Sequence, residues 1–172
     1  MKKVKLVCVA LLAMVAMVSC RGPQGPEGPM GNANVASSTV TVYPNDWYKD
    51  GNTSWRVDIS YDAINANITD HGAVLVYMNN ENTWRQLPMT YYYTDVVNGE
   101  TYYLSSSLEV SSYDNGVSIL WTESDFYLGD DYRPDTHQFK IVVIAASLYN
   151  ARPDVNYNSY EAVKTAFQLE DR

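Results

Sequence analysis

From residue 34 onward the chain is written in short runs of β-branched and aromatic residues, broken at close intervals by Asn, Asp and Gly, and that punctuation points to antiparallel strands. Residues 37–43, Ser-Ser-Thr-Val-Thr-Val-Tyr, alternate and are rich in β-branched side chains. Trp55, Val57, Ile59 and Tyr61 recur at period two with Arg56, Asp58 and Ser60 between them, the pattern of a half-buried strand. Residues 72–78, Gly-Ala-Val-Leu-Val-Tyr-Met, are apolar throughout, which predicts a central strand buried on both faces. Residues 84–90 form a weaker extended piece, and Pro88 favours an edge there. Asn98-Gly99 supplies the two left-handed residues of a type I′ turn, so residues 91–97 and 102–110 read as a hairpin. Residues 114–116, Asp-Asn-Gly, mark another turn, and residues 117–121 and 138–145 are the last strands. The expected fold is all-β: an antiparallel β-sandwich or barrel of about seven or eight strands.

The C-terminus departs from this texture. Asn158 and Glu161 are spaced as a capping box, and Tyr160, Val163 and Phe167 fall on one helical stripe beside Ala166. A short amphipathic α-helix is predicted near residues 158–169, packed on the β domain, after a mostly polar loop over 149–157 that holds Pro153.

At the other end, Lys2, Lys3 and Lys5 precede a 13-residue apolar stretch from Leu6 to Val18. A bilayer core of about 30 Å takes about 20 helical residues, so this run is too short to span one. A charged start, a short apolar run and small residues make a secretory signal peptide. Val18, Ser19 and Cys20 resemble the cleavage site of a bacterial lipoprotein signal, in which the cysteine is acylated and becomes the first mature residue; Met17 departs from the usual Leu. The expected organisation is a signal peptide over 1–19, a lipidated Cys20 and spacer over 20–33, and a β domain over 34–172.

Cleavage before Cys20 leaves 153 of the 172 residues, enough for one domain. Cys8 and Cys20 are the two cysteines, so the mature domain relies on its core with no disulfide, and thiol catalysis and Cys-based metal sites are excluded. Loss of the three lysines takes the formal charge from −8 to −11, which argues against nucleic acid or an anionic membrane surface as a charge-driven partner. The membrane contact expected is the lipid: each buried CH₂ is worth about 0.8 kcal/mol, and stable anchoring takes more than one chain.

Residues 22–31 hold three Gly-Pro-X triplets and a further Gly31. Glycine at every third position is what a collagen triple helix requires at its axis. As a single chain the same residues form an extended spacer reaching about 30 Å at about 3.1 Å per residue. Two readings follow: a monomer on a semi-rigid spacer, or a trimer assembled through residues 22–31.

Taken together, the cysteine, the Gly-Pro-X stub, the junction Gly31-Asn-Ala-Asn-Val35, the strand at 72–78 followed by Trp84 and Leu87-Pro88, and the late strand at 139–144 resemble Bacteroidota-type lipoproteins with a C-terminal β domain of unknown function. The resemblance implies fold class and location: the bacterial cell envelope, at the outer membrane, lipid-anchored and either periplasmic or surface-exposed. It implies no chemistry.

Motifs for chemistry are sparse. His71, next to Gly72, reads as a turn residue, and His137 as a half-exposed strand start. No Gly-x-Ser-x-Gly elbow supports a nucleophile, no Gly-rich phosphate loop is present, and the sequons at Asn52 and Asn67 are not expected to be used in a bacterial lipoprotein. Glu123, Asp125, Asp130, Asp131 and Asp135 make an acidic stretch read mainly as a solvated loop, with Ca²⁺ binding at the four aspartates as a weaker alternative and acid/base work on glycosidic bonds weaker still. No cofactor is expected.

The remaining lead is aromatic. Fifteen Tyr and four Trp stand against three Phe, a bias toward rings with a polar tip, which suit contact surfaces. Tyr91, Tyr92, Tyr93, Tyr102 and Tyr103 gather on the expected hairpin, with Tyr92 facing opposite to Tyr91 and Tyr93. They form either a contact surface for a glycan or protein partner or cross-strand ladders that stabilise the sheet. Trp47 and Trp55, with Tyr48, flank a polar loop and make a second candidate contact point. The function these features favour is a non-enzymatic binding or adhesion module held at a membrane. The alternatives are a structural envelope protein assembling through the stub and a glycan-processing enzyme.

Overall fold

The computed structural model describes residues 34–125 and 133–169. Cys20, the Gly-Pro-X spacer, Asp130 and Asp131 lie outside them. Nine strands are present among the described residues: β1 (Val35–Val42), β2 (Tyr48–Lys49), β3 (Ser54–Ser60), β4 (Ala73–Asn80), β5 (Thr83–Gln86), β6 (Met89–Val97), β7 (Glu100–Tyr113), β8 (Gly116–Glu123) and β9 (His137–Ile144). Three short helices join them: α1 (Ala66–His71), α2 (Ala146–Ala151) and α3 (Tyr160–Phe167). The strands pair antiparallel in two sheets, one ordered β1-β9-β4-β5 and the other β2-β3-β8-β7-β6. The fold is the expected all-β sandwich, and the sheets do not close into a barrel.

Alternation sets the core. On β3, Trp55, Val57 and Ile59 point inward, in register with Trp121, Ile119 and Val117 on β8. They meet Val76 and Met78 of β4 and Phe139, Ile141 and Val143 of β9 across the sandwich. The other parity of β4 and β9, namely Leu75, Tyr77, Val142 and Ile144, is buried as well, under Tyr160, Val163 and Phe167 of α3. The uninterrupted apolar run at 72–78 is thus a strand covered on both faces, as the sequence predicts.

Lys140 is the exception on that second face. It is buried, its Nζ donates a 2.9 Å hydrogen bond to the Tyr160 hydroxyl, and it lies 4.9 and 4.6 Å from the ring centroids of Trp84 and Tyr160. Ring faces and a hydroxyl stand in for the water it has lost.

Several local expectations are corrected. The extended piece at 84–90 is two strands in different sheets: the chain leaves β5 at Gln86, passes a cis Leu87-Pro88 bond and enters β6. His71 closes helix α1, whose N-cap Asn65 accepts a hydrogen bond from the Ile68 amide; one buried residue, Ile68, is too little periodicity to mark a helix in sequence. The loop at 149–157 opens inside helix α2. The last helix is capped by Ser159 rather than Asn158, whose amide instead bonds to the Asn156 side chain. The stripe Tyr160, Val163, Phe167 packs as expected.

Tyr77 carries a pH consequence. Fully buried, it donates a 2.7 Å hydrogen bond to the Tyr157 carbonyl, and burial pushes its phenol well above the usual value of 10. A phenol raised in the native state stabilises the fold fully below its unfolded value of about 10 and loses that contribution as pH rises further. Urea midpoints should therefore fall above about pH 10, and more shallowly in Tyr77→Phe; an equal fall in both proteins would count against this origin.

Candidate functional site

The expected hairpin forms. Asn98 and Gly99, at φ +56° and +83°, make a two-residue turn, and Val97 pairs with Glu100. β7 pairs with β8 only from Ser106 onward, where Ser106 faces Glu123, with two further bonds at Ser105: its carbonyl accepts from the Ser124 amide and its amide donates to Ser124 Oγ at 2.7 Å. Beyond that point, residues 94–104 extend past the sandwich with no other strand paired to them among the described residues. At about 3.4 Å per residue the overhang reaches about 17 Å.

Two tyrosine environments result. On the outer face, Tyr92 and Tyr103 are 83% and 85% exposed. They are not directly opposed: Tyr92 pairs with Ser105 and Tyr103 with Thr94, so the two rings are diagonal neighbours. With Thr94, Ser105 and Ser124 they line a shallow depression of about 570 Å³. Tyr102 pairs with Asp95 on the opposite face and donates to Glu100. The direct tyrosine ladder is thus absent among these five residues.

On the inner face, Tyr91 packs edge-on to Trp121 with centroids 6.2 Å apart and lies beside Tyr93. The Tyr93 hydroxyl donates to Glu123 Oε2 at 3.0 Å, and burial, then this bond to a carboxylate, push its phenol up to about 12. Glu123 is not a loop residue. It ends β8, is 2% exposed, and also accepts from Ser106 Oγ at 2.6 Å and from the Trp121 indole N–H. These donors come from β6, β7 and β8, so one carboxylate ties the root of the overhang to the body. The spacing Trp121-x-Glu123, which places both on one strand face, was the available sequence signal for it.

The second candidate contact point is overturned. Trp47 and Trp55 are core residues, 2% and 4% exposed. Trp47 packs edge-on against Trp121 and Phe139, its indole N–H without a partner among the described residues, and Trp55 continues the inward parity of Val57 and Ile59 beneath the Arg133 guanidinium. Only their neighbour Tyr48 is exposed, donating to Asp58 at 2.7 Å. Of the acidic stretch, Asp125 lines a 340 Å³ recess with Tyr91, Tyr93, Asp95 and Glu123, and Asp135 is exposed. No three metal-ligating side chains gather among the described residues. His137 opens β9, half-buried 4.8 Å from the Trp121 ring, and burial lowers its pKa.

Replacing Glu123 by Leu strands the buried Ser106 and Trp121 donors, at an expected cost of about 2–4 kcal/mol in urea unfolding. It should also lower the Tyr93 titration seen by ultraviolet absorbance. A Tyr93 curve unmoved by the substitution would refute the coupling.

No protein-family model matches this chain, and neither a curated protein nor a solved structure is significantly similar to it.

Proposed function

We propose that this protein is a membrane-anchored envelope lipoprotein whose β-sandwich is a non-enzymatic binding or adhesion module, with the β6–β7 hairpin as the contact element. The observation that carries the reading is the overhang itself. A folded domain gains no core by extending a hairpin past its own sheet, and this one places Tyr103 in solvent beside Tyr92 at its root, with Val96 and Val97 near the tip. Exposed rings with hydroxyl ends suit the faces of sugar rings or the side chains of a protein partner. The stretch from Gln86 to Tyr132 contains no Lys or Arg and eight carboxylates, so the ligand expected is neutral or cationic.

The anchoring half of the reading is supported by sequence: the charged start, the short apolar run, Cys20 and the Gly-Pro-X spacer. Among the described residues no helix is long and apolar enough to cross a membrane.

The Tyr92→Ala/Tyr103→Ala protein should keep its unfolding free energy within about 1 kcal/mol, because both rings are exposed, and should lose at least about tenfold in glycan-array or partner pull-down signal. Undiminished binding by a folded double variant would remove the hairpin from the proposal. Separately, Cys20→Ser should move the protein from the membrane to the soluble fraction of producing cells. Retention in the membrane would remove the lipid anchor while leaving the hairpin reading intact.

A further inference from the structure

We infer that the free edge of β6 pairs antiparallel with the β6 edge of a second copy of this chain, joining two five-stranded sheets across a twofold axis at Tyr92. The inference does not rest on the ligand or the anchor proposed above.

The direction of each main-chain group follows from the turn. In a two-residue hairpin the residues flanking the turn exchange both hydrogen bonds, and bonded pairs then alternate along the ladder. Val97 pairs with Glu100, so Val97, Asp95, Tyr93, Tyr91 and Met89 bond toward β7. Val96, Thr94, Tyr92 and Thr90 therefore turn their N–H and C=O groups outward. The Val96 amide bears this out, since it donates to the Asp95 side chain at 2.7 Å rather than to β7. No strand among the described residues pairs with this edge.

Open sheet edges in folded proteins are usually blunted. In this protein β2 is two residues long, and β5 is met at Arg85 by Ser159. No residue of β1 is exposed. β6 has neither defence along its middle: Thr90, Tyr92 and Thr94 are all exposed, and the strand holds no Pro or Lys.

The occupant is identified by symmetry. Residues 90–94 read Thr-Tyr-Tyr-Tyr-Thr, a palindrome about Tyr92. Antiparallel pairing of two identical strands about a twofold axis sets residue i against j and j against i, and a palindrome centred on that axis places like side chains opposite each other along the register. Centred on Tyr92, the register sets Thr90 against the second copy's Thr94, and Tyr91 against its Tyr93. About six main-chain hydrogen bonds form, from Tyr92 to its own counterpart and from the two Thr90–Thr94 pairs.

The ends match too. Val96, whose amide is already taken by Asp95, falls opposite Pro88, which has no amide to offer. Asp95 falls opposite Met89, so no like charges meet. A foreign strand would require neither the palindrome nor this matching of blocked positions.

The test is cysteine cross-linking of the full chain in solution, with Cys8→Ser and Cys20→Ser removing both native thiols. Bonded antiparallel partners lie about 5.5 Å apart at Cα, inside the range a disulfide spans. Tyr92→Cys should form a covalent dimer under mild oxidation at least about tenfold faster than Thr94→Cys, whose counterpart lies four residues along, at about 13 Å. Thr90→Cys and Thr94→Cys chains should each stay monomeric alone and form a mixed dimer together. Ser111→Cys, exposed at the far end of β7, sets the rate of random collision. Dimer formation by Tyr92→Cys no faster than by Ser111→Cys would overturn the inference. So would equal rates at positions 90, 92 and 94, which would show contact without this register. Circular dichroism of each variant confirms that the compared chains are folded.

Discussion

The structure depends on two strands that have no polar face. β4 and β9 pair with each other and present apolar side chains at both parities, so their sheet must lie in the interior. One face is closed by the five-stranded sheet and the other by α3 with its preceding loop. Burial of this kind contributes about 1.5–3 kcal/mol for each large apolar side chain. The C-terminal helix is therefore a third layer of the fold, and without it Tyr77, Val142 and Ile144 would face water.

The same arrangement frees the opposite sheet. Only its inner face is needed for the core, so β7 and β6 can carry Thr, Ser and Tyr outward and run on past the end of β8. Core residues and solvent-facing residues are thereby separated on this sheet. The rings that fill the interior, Trp47, Trp55 and Trp121, sit on the body, and the two most exposed rings, Tyr92 and Tyr103, sit at the root of the overhang and on it.

How legible this was in the sequence depended on the range of the interaction involved. Period-two patterning on β3, the doubly buried β4, the Asn-Gly hairpin and the stripe of the last helix are all set by neighbours close along the chain, and all were readable. The destination of Trp47 and Trp55 was not, because a tryptophan beside a polar loop looks the same whether the loop folds over it or leaves it in solvent. The switch of sheets at Pro88 and the short helices α1 and α2 escaped for the same reason: each is decided by packing, with too few residues to show a period. Of the candidate surface, the parity of Tyr91, Tyr92 and Tyr93 was legible from strand geometry. The overhang was not, since it is defined by where β8 stops pairing. In sequence Glu123 reads as one of several loop carboxylates, because the convergence of Tyr93, Ser106 and Trp121 on it is made by three strands.

That convergence gives the hairpin the mechanics of a clamped lever. Outside the clamp the two strands support only each other, and inside it every residue is held by a sheet. Any load applied at the tip produces its greatest bending moment at the clamp, where Tyr93, Ser106 and Trp121 share one carboxylate. One of the contacts at that point is an indole hydrogen bond within the aromatic core. Trp121 thus belongs at once to the clamp and to the aromatic core, where it packs edge-on against Trp47 and Tyr91, so the root of the hairpin and the interior of the sandwich share one side chain.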